Sequence, residues 1–152
     1  MENKGLKISY NAIIETFDVH TKEVLQTTKV HNLVVNSGLN RVSDLIGGLS
    51  AVSFGYVAIG TDNTAVLATD TDLGAEVDRQ AVVPSDEGTG IILYDFTFTF
   101  GTGESYTITE AGIFDNLTPS GSVMLNRLVF SGHNVDIDNS LRVKITITVA
   151  NS

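Results

Sequence analysis

Residues 141–149 read LRVKITITV, and their alternation decides the fold class. Leu141, Val143, Ile145, Ile147 and Val149 fall on one side of an extended chain, with Arg142, Lys144, Thr146 and Thr148 on the other. That is the period-two pattern of a strand with one dry and one wet face. Upstream, Ile92, Tyr94, Phe96, Phe98 and Phe100 form a second such row, opposite Asp95, Thr97 and Thr99. Both rows read as core. Aromatic rows can also stack bases or sugars, but this one has no interleaved basic residues. Leu6, Ile8 and Tyr10 begin an N-terminal strand whose phase breaks at Ile13-Ile14, where a bulge is expected. A turn near His20-Thr21-Lys22 then returns the chain as residues 23–31.

The stretch TEAGIFDN (109–116) departs from simple alternation. In a regular strand Glu110, Gly112 and Phe114 would share a face with Tyr106 and Ile108, leaving Ile113 on the other. A bulge at Ala111-Gly112, with Gly112 supplying the unusual backbone angles, would let Ile108 and Ile113 both point inward. The turn NLTPSGS leads to VMLNRLVF (123–130), which has apolar residues on both faces, with Val123, Leu125 and Val129 on one, interrupted by Arg127, and Met124, Leu128 and Phe130 on the other. Pairing across that hairpin is expected to bring Glu110 to Arg127, so that an acid and a base share a partly buried site. A strand apolar on both faces needs two covers, and in so small a chain a neighbouring subunit is the expected second one.

One segment has helical periodicity. In NSGLNRVSDLIGG (36–48), Leu39, Val42, Leu45 and Ile46, followed by Leu49, form an apolar stripe opposite Asn40, Arg41, Ser43 and Asp44. Asn36 or Ser37 is expected to cap the first turn, Gly47-Gly48 to end the helix, and the stripe to lie buried on a sheet. Beyond it come a strand at Phe54–Gly60, a turn-rich loop at 61–75, a strand near Glu76–Val83 and a Pro/Gly loop, PSDEGTG (84–90). The total is about eight mostly antiparallel strands with one short helix at about 37–47. This predicts a mainly β sandwich or barrel-like domain spanning 1–152, with the strand-turn-strand of about 6–31 available as an arm.

A chain of 152 residues can bury roughly 70% of its unfolded surface without a staple. It has no cysteine, which excludes disulfides, thiolate metal ligands and cysteine nucleophiles. No apolar run approaches the about 18 residues a membrane span requires, and the N-terminus shows no apolar signal core. Of the net charge of −9, residues 61–115 carry eleven acids against Arg79 alone, whereas residues 1–41 carry five bases against four acids. This balance disfavours nucleic acid as a partner.

Catalytic and ligand motifs are absent in recognisable form. His20, His31 and His133 lie whole strands apart, without metal-ligand spacing, and are expected on the surface or in loops. GTGESYT (101–107) lacks the serine-elbow pattern and reads as a hairpin loop. Asp70-x-Asp72 and Asp136-x-Asp138 do not continue into a calcium loop, and GTDNT has no phosphate-binding lysine. No catalytic, metal-binding or cofactor-binding residue is expected, and no cofactor.

The ordered set HNLVVNSGLNRVSDLIGG (31–48), YVAIGTDNTAVLATDTDLGAEVDRQAV (56–82), ITEAGIFDN (108–116) and MLNRLVF (124–130), with a closing alternating strand, resembles small β-rich virion proteins of tailed bacteriophages. Within that group it is most similar to the trimeric capsid decoration, or cement, proteins of the β-tulip type. The resemblance spans about residues 30–149. It implies a homotrimer on the outer surface of a phage head, made in the host bacterial cytoplasm, that clamps the major capsid protein without membrane or nucleic-acid contact. Tail-fibre and baseplate components carry TEAGIFD-like strands too, so a tail component binding a host-surface receptor is the alternative. The lack of Trp, usual in glycan readers, favours the head. Lys4, Leu6, Lys7 and Ile8 are the expected partner-contact segment, adding a strand to a neighbour's edge. A small hydrolytic or carbohydrate-active enzyme ranks third.

Overall fold

The structure, a computed structural model, describes residues 5–31 and 33–152. Two five-stranded antiparallel sheets form a sandwich. The first has β2 (Val24–His31), β1 (Leu6–Asp18), β10 (Asn139–Asn151), β7 (Ile91–Phe98) and β6 (Ser85–Gly88), in that order. The second has β3 (Leu33–Val34), β9 (Met124–Val135), β8 (Tyr106–Phe114), β4 (Tyr56–Gly60) and β5 (Glu76–Ala81). The expected mainly β sandwich with one helix, α1 (Asn36–Gly47), is what the chain forms.

The alternating rows supply the interior. Tyr10, Ala12 and Ile14 of β1, Leu141, Val143, Ile145 and Ile147 of β10, and Tyr94 and Phe98 of β7 face Val57, Ile59, Ile108, Ala111, Ile113 and Leu128 of the second sheet. All are buried, and this dry layer is the main source of stability.

Several local expectations are corrected. The register of β1 with β10 runs unbroken from Leu6↔Asn151 to Asp18↔Asn139, so Ile13-Ile14 is not a bulge. Ile13 instead faces outward beside Leu93 and Thr146. The irregularity falls later, at Thr16/Phe17 against β2. Because β1 lies between β2 and β10, the strand-turn-strand of 6–31 is built into the sheet rather than projecting as an arm. The expected Pro/Gly loop contains β6, which pairs with β7 through its backbone, at Ser85↔Leu93 and Asp86↔Ile92. All four β6 residues are exposed, so this edge strand leaves no apolar signal. GTGESYT links β7 to β8 across the two sheets and is not a hairpin.

The irregularities of the β8–β9 ladder lie elsewhere than expected, and their extra residues are in β9. Ile108 and Ile113 are both core residues, but the register breaks between Ile108 and Glu110, not at Gly112. Gly112 has a packing role: a Cβ there would sit 2.8 Å from Asn126 O and 3.2 Å from Leu73 Cδ2. A second break, at Ile113/Phe114, sets Phe114 opposite Met124 on the outer face and lets Leu125 join the core.

The doubly apolar β9 has its second cover within the chain, not on a neighbour. Leu73, from the 61–75 loop, and Val35, before α1, pack on Phe114, Met124 and Ala58 to form a second apolar cluster on the outer face. Arg79, itself buried, lies 3.7 Å above the Phe114 ring and donates to Asn116 O and Ser122 Oγ, which fixes the β8–β9 turn.

α1 begins without the expected cap. Its N-cap is Val35, with no side-chain cap bond; Asn36 N–H donates to Ala68 O and Ser37 Oγ to Met124 O, so tertiary contacts place its start. Gly48, at φ 70°, ends it in the left-handed conformation as expected. Gly38 is the one buried helix residue, and a Cβ there would overlap the Leu125 backbone. Among the described residues, no helix is long and apolar enough to cross a membrane.

His133 corrects the expectation of a surface histidine. It is fully buried, with Thr16 Oγ1 2.6 Å from Nδ1 and Thr28 Oγ1 2.8 Å from Nε2, and so ties β9 of one sheet to β1 and β2 of the other. Burial holds its pKa below the ordinary 6.5. The unfolded chain therefore takes up this proton before the folded one does. The stability involved is fully present above pH 6.5 and is lost as pH falls from there through the folded value. Thermal melts between pH 7.5 and 5.5 should show a steeper loss for the parent protein than for His133→Gln. Parallel slopes would contradict this assignment.

Candidate interaction site

The structure brings the sequence-predicted pair together, on the outer face of the second sheet. Glu110 is opposite Val129 and Gly112 opposite Arg127, which makes Glu110 and Arg127 diagonal neighbours. Arg127 Nε donates to Glu110 Oε2 at 2.9 Å. Both side chains are buried, with Glu110 at 0% and Arg127 at 3% exposure, deeper than the partly buried site expected. The 61–75 loop completes the site: Gly74 N–H (2.9 Å), Ala75 N–H (2.8 Å) and Asp62 N–H (3.2 Å) all donate to the Glu110 carboxylate. Arg127 Nη1 donates to Asp70 Oδ2 at 3.1 Å, and Nη2 lies 3.8 Å from Asp62 Oδ2. Gly60, opposite Glu110 in β4, leaves the space, since a Cβ there would overlap the carboxylate. The pair is thus a latch for the loop.

A different region is shaped for a partner. β1 and β10 are thirteen residues long and β4 only five, so the first sheet outruns the second at one end. Exposure rises outward along its inner face: from 3% at Tyr94 to 37% at Ile92, from 5% at Ile147 to 38% at Val149, and from 4% at Tyr10 to 64% at Leu6. Val42 and Leu45 of α1 close part of the gap, which leaves an apolar groove of about 640 Å³. Val82, Val83 and Pro84 beyond β5 form its other wall.

This position corrects the expected burial of the helix stripe. Only Val42 and Leu45 reach the core, while Leu39, Ile46 and Leu49 are exposed, the last two by 74% and 81%. Ile46 and the exposed Val83 give the groove an apolar rim. None of the residues lining the groove is charged. In its floor the Tyr94 hydroxyl donates to Phe54 O at 2.9 Å, and the buried Tyr10 hydroxyl has no partner among the described residues. Burial, and secondarily Tyr94, raises the Tyr10 pKa, and burial pushes Tyr94 up to about 12, so both phenols stay neutral. The site can bury apolar surface, and its hydroxyls come from Tyr10, Ser53, Tyr56 and Tyr94. Nothing in its lining activates a nucleophile or transfers a proton near neutral pH.

Of the expected contact segment, Ile8 lines this groove and Leu6 stands exposed at its end, while Lys7 belongs to the outward row; Lys4 lies outside the described residues. The other motifs are local. His20 Nε2 pairs with Asp138 on the surface, Asp136 and Asp62 accept from the turns they start, and Asp70 accepts from Leu67 N–H. Among the described residues, no three His, Asp or Glu side chains are grouped closely enough to hold a metal ion. No protein-family model matches the chain, and neither curated proteins nor solved structures yield a significant match.

Two measurements test these assignments. Glu110→Gln should cost about 3 kcal/mol, by leaving Arg127 buried beside a neutral partner, and the double variant with Arg127→Met should cost clearly less than the sum of the single changes. Simple additivity would refute the coupling. Ile46→Asp combined with Val83→Asp should change folding stability by only about 0.5 kcal/mol per site, because both residues are solvated already, while reducing binding of an apolar fluorescent dye.

Proposed function

We propose that this protein is a structural component that seats its open apolar end on a larger protein assembly, acting as a capsid decoration protein of a tailed bacteriophage head. The supporting observation is the uncharged groove with its exposed rim, on a chain of net charge −9. Contiguous apolar surface on an otherwise acidic domain favours contact with another protein over nucleic acid or small polar substrates. The partner's identity comes from the resemblance of residues 30–149 to decoration proteins. An acidic protein would be repelled by packaged DNA, which favours the outer surface of the head, where many copies of a modest contact add by avidity. The three-copy arrangement that the resemblance implies draws no support from β9, because that strand is covered by its own chain.

Purified protein added to heads that lack it should saturate at many copies over the whole surface and raise the temperature at which the heads rupture. The Ile46→Asp and Val83→Asp variant should bind at least about tenfold more weakly, as expected for loss of central apolar anchors. Saturation at a few copies at the tail end would replace the head reading with the tail one. Failure to bind any part of the virion would overturn both.

A further inference from the structure

We infer that copies of this chain associate head-to-tail, the loop-covered face of the second sheet of one copy seating on the outer face of the first sheet of the next. The two faces lie on opposite sides of the sandwich, and their charges are opposite too. Arg41, Arg79 and Arg127 are paired within the chain, with Asp115, Glu76 and Glu110. The other described lysines and arginines, Lys7, Lys22, Lys29, Arg142 and Lys144, all belong to the first sheet or to its β1–β2 turn. The ladders put Lys29, Ile13, Lys144 and Asp95 in one row across β2, β1, β10 and β7, and this row faces outward with Ile13. Lys7 shares the outward phase of Ile13 on β1, and Lys22 and Arg142 border a cleft on the same side. Arg142 is bonded to Asp95 within this face, which leaves the four lysines against Glu15 and, at the β6 margin, Glu87. On the opposite face, residues 61–76 carry Asp62, Asp70, Asp72 and Glu76 and no base.

Each face also has an apolar counterpart to the other. Leu67, at 58% exposure, is the one exposed large apolar residue of the 61–75 loop. Its N–H donates to Asp70 Oδ2 at 3.0 Å, so an apolar knob and a carboxylate stand together. The first sheet has a recess of about 270 Å³, lined by Ile13, Ile91 and Leu93 with Lys144 and Glu87 beside them. Seating Leu67 there brings the acids of the loop to Lys144 and its row neighbour Lys29, so that apolar burial and opposite charge act at one place. The net charge of −9 opposes other approaches of two copies, which confines the attraction to these two faces.

A contact between unlike faces leaves one of each kind free on every pair, so association does not stop at two. The groove lies at the end of the sandwich and takes no part. Failure of this contact and failure of the docking reading are therefore separable.

Sedimentation equilibrium on the full chain should give an average mass that passes that of a dimer as concentration rises. Leu67→Ser, which removes the knob, and Lys29→Glu combined with Lys144→Glu, which reverses the sheet face, should each weaken association at least about tenfold while melting with the parent. A mixture of these two variants should form a one-to-one pair and nothing larger, because each supplies the face that the other lacks. A monomer at every concentration, a parent that stops at a dimer, variants that associate as the parent does, or a mixture that stays monomeric would overturn the inference. Head binding of the groove variant reports on the docking reading independently.

Discussion

The outer half of the molecule depends on one carboxylate. Glu110 has no contact with water, and its charge is tolerable there only because Arg127 and three backbone N–H groups surround it. The three amides come from both ends of the 61–75 loop, so the same bonds that satisfy the acid hold the loop in place. Loop closure then delivers Leu73 onto Phe114 and Met124 and completes the cover of a sheet that is apolar on both sides. In a chain without cysteine, this buried polar centre fastens a long connection as a cross-link would.

Closing the outer face decides where apolar surface remains. The second sheet is covered by its own loop on one face and by the first sheet on the other. The mismatch in strand length moves the unsatisfied surface to one end, where Ile8, Ile92 and Val149 extend past the last residue that could cover them. Acids occupy much of the rest of the molecule, and the groove contains none. The division between a repelling body and a cohesive end is therefore set by topology and composition together.

The sandwich class was legible because alternation is a local property: Leu141 to Val149 and Ile92 to Phe100 state which face is dry whatever lies opposite. The Glu110–Arg127 meeting was legible because consecutive strands joined by one turn pair with each other. Features set by tertiary distance were not legible. Periodicity shows that Leu39, Ile46 and Leu49 share a helix stripe, but not that the second sheet ends before reaching them. The burial of His133 depends on Thr16 and Thr28, more than a hundred residues away in the chain. Gly112 carried a signal that was read as backbone freedom, whereas its reason is the closeness of Asn126 and Leu73.

The two edges of the first sheet are unlike, β2 with eight residues and β6 with four. At the β6 edge all four residues are solvated, Asp86 and Glu87 among them, and Gly88 turns the strand away at φ 125°. A second acidic chain approaching there would meet like charge along a very short ladder. A margin so short and so acidic is guarded against strand addition, so growth of the sheet through it is blocked.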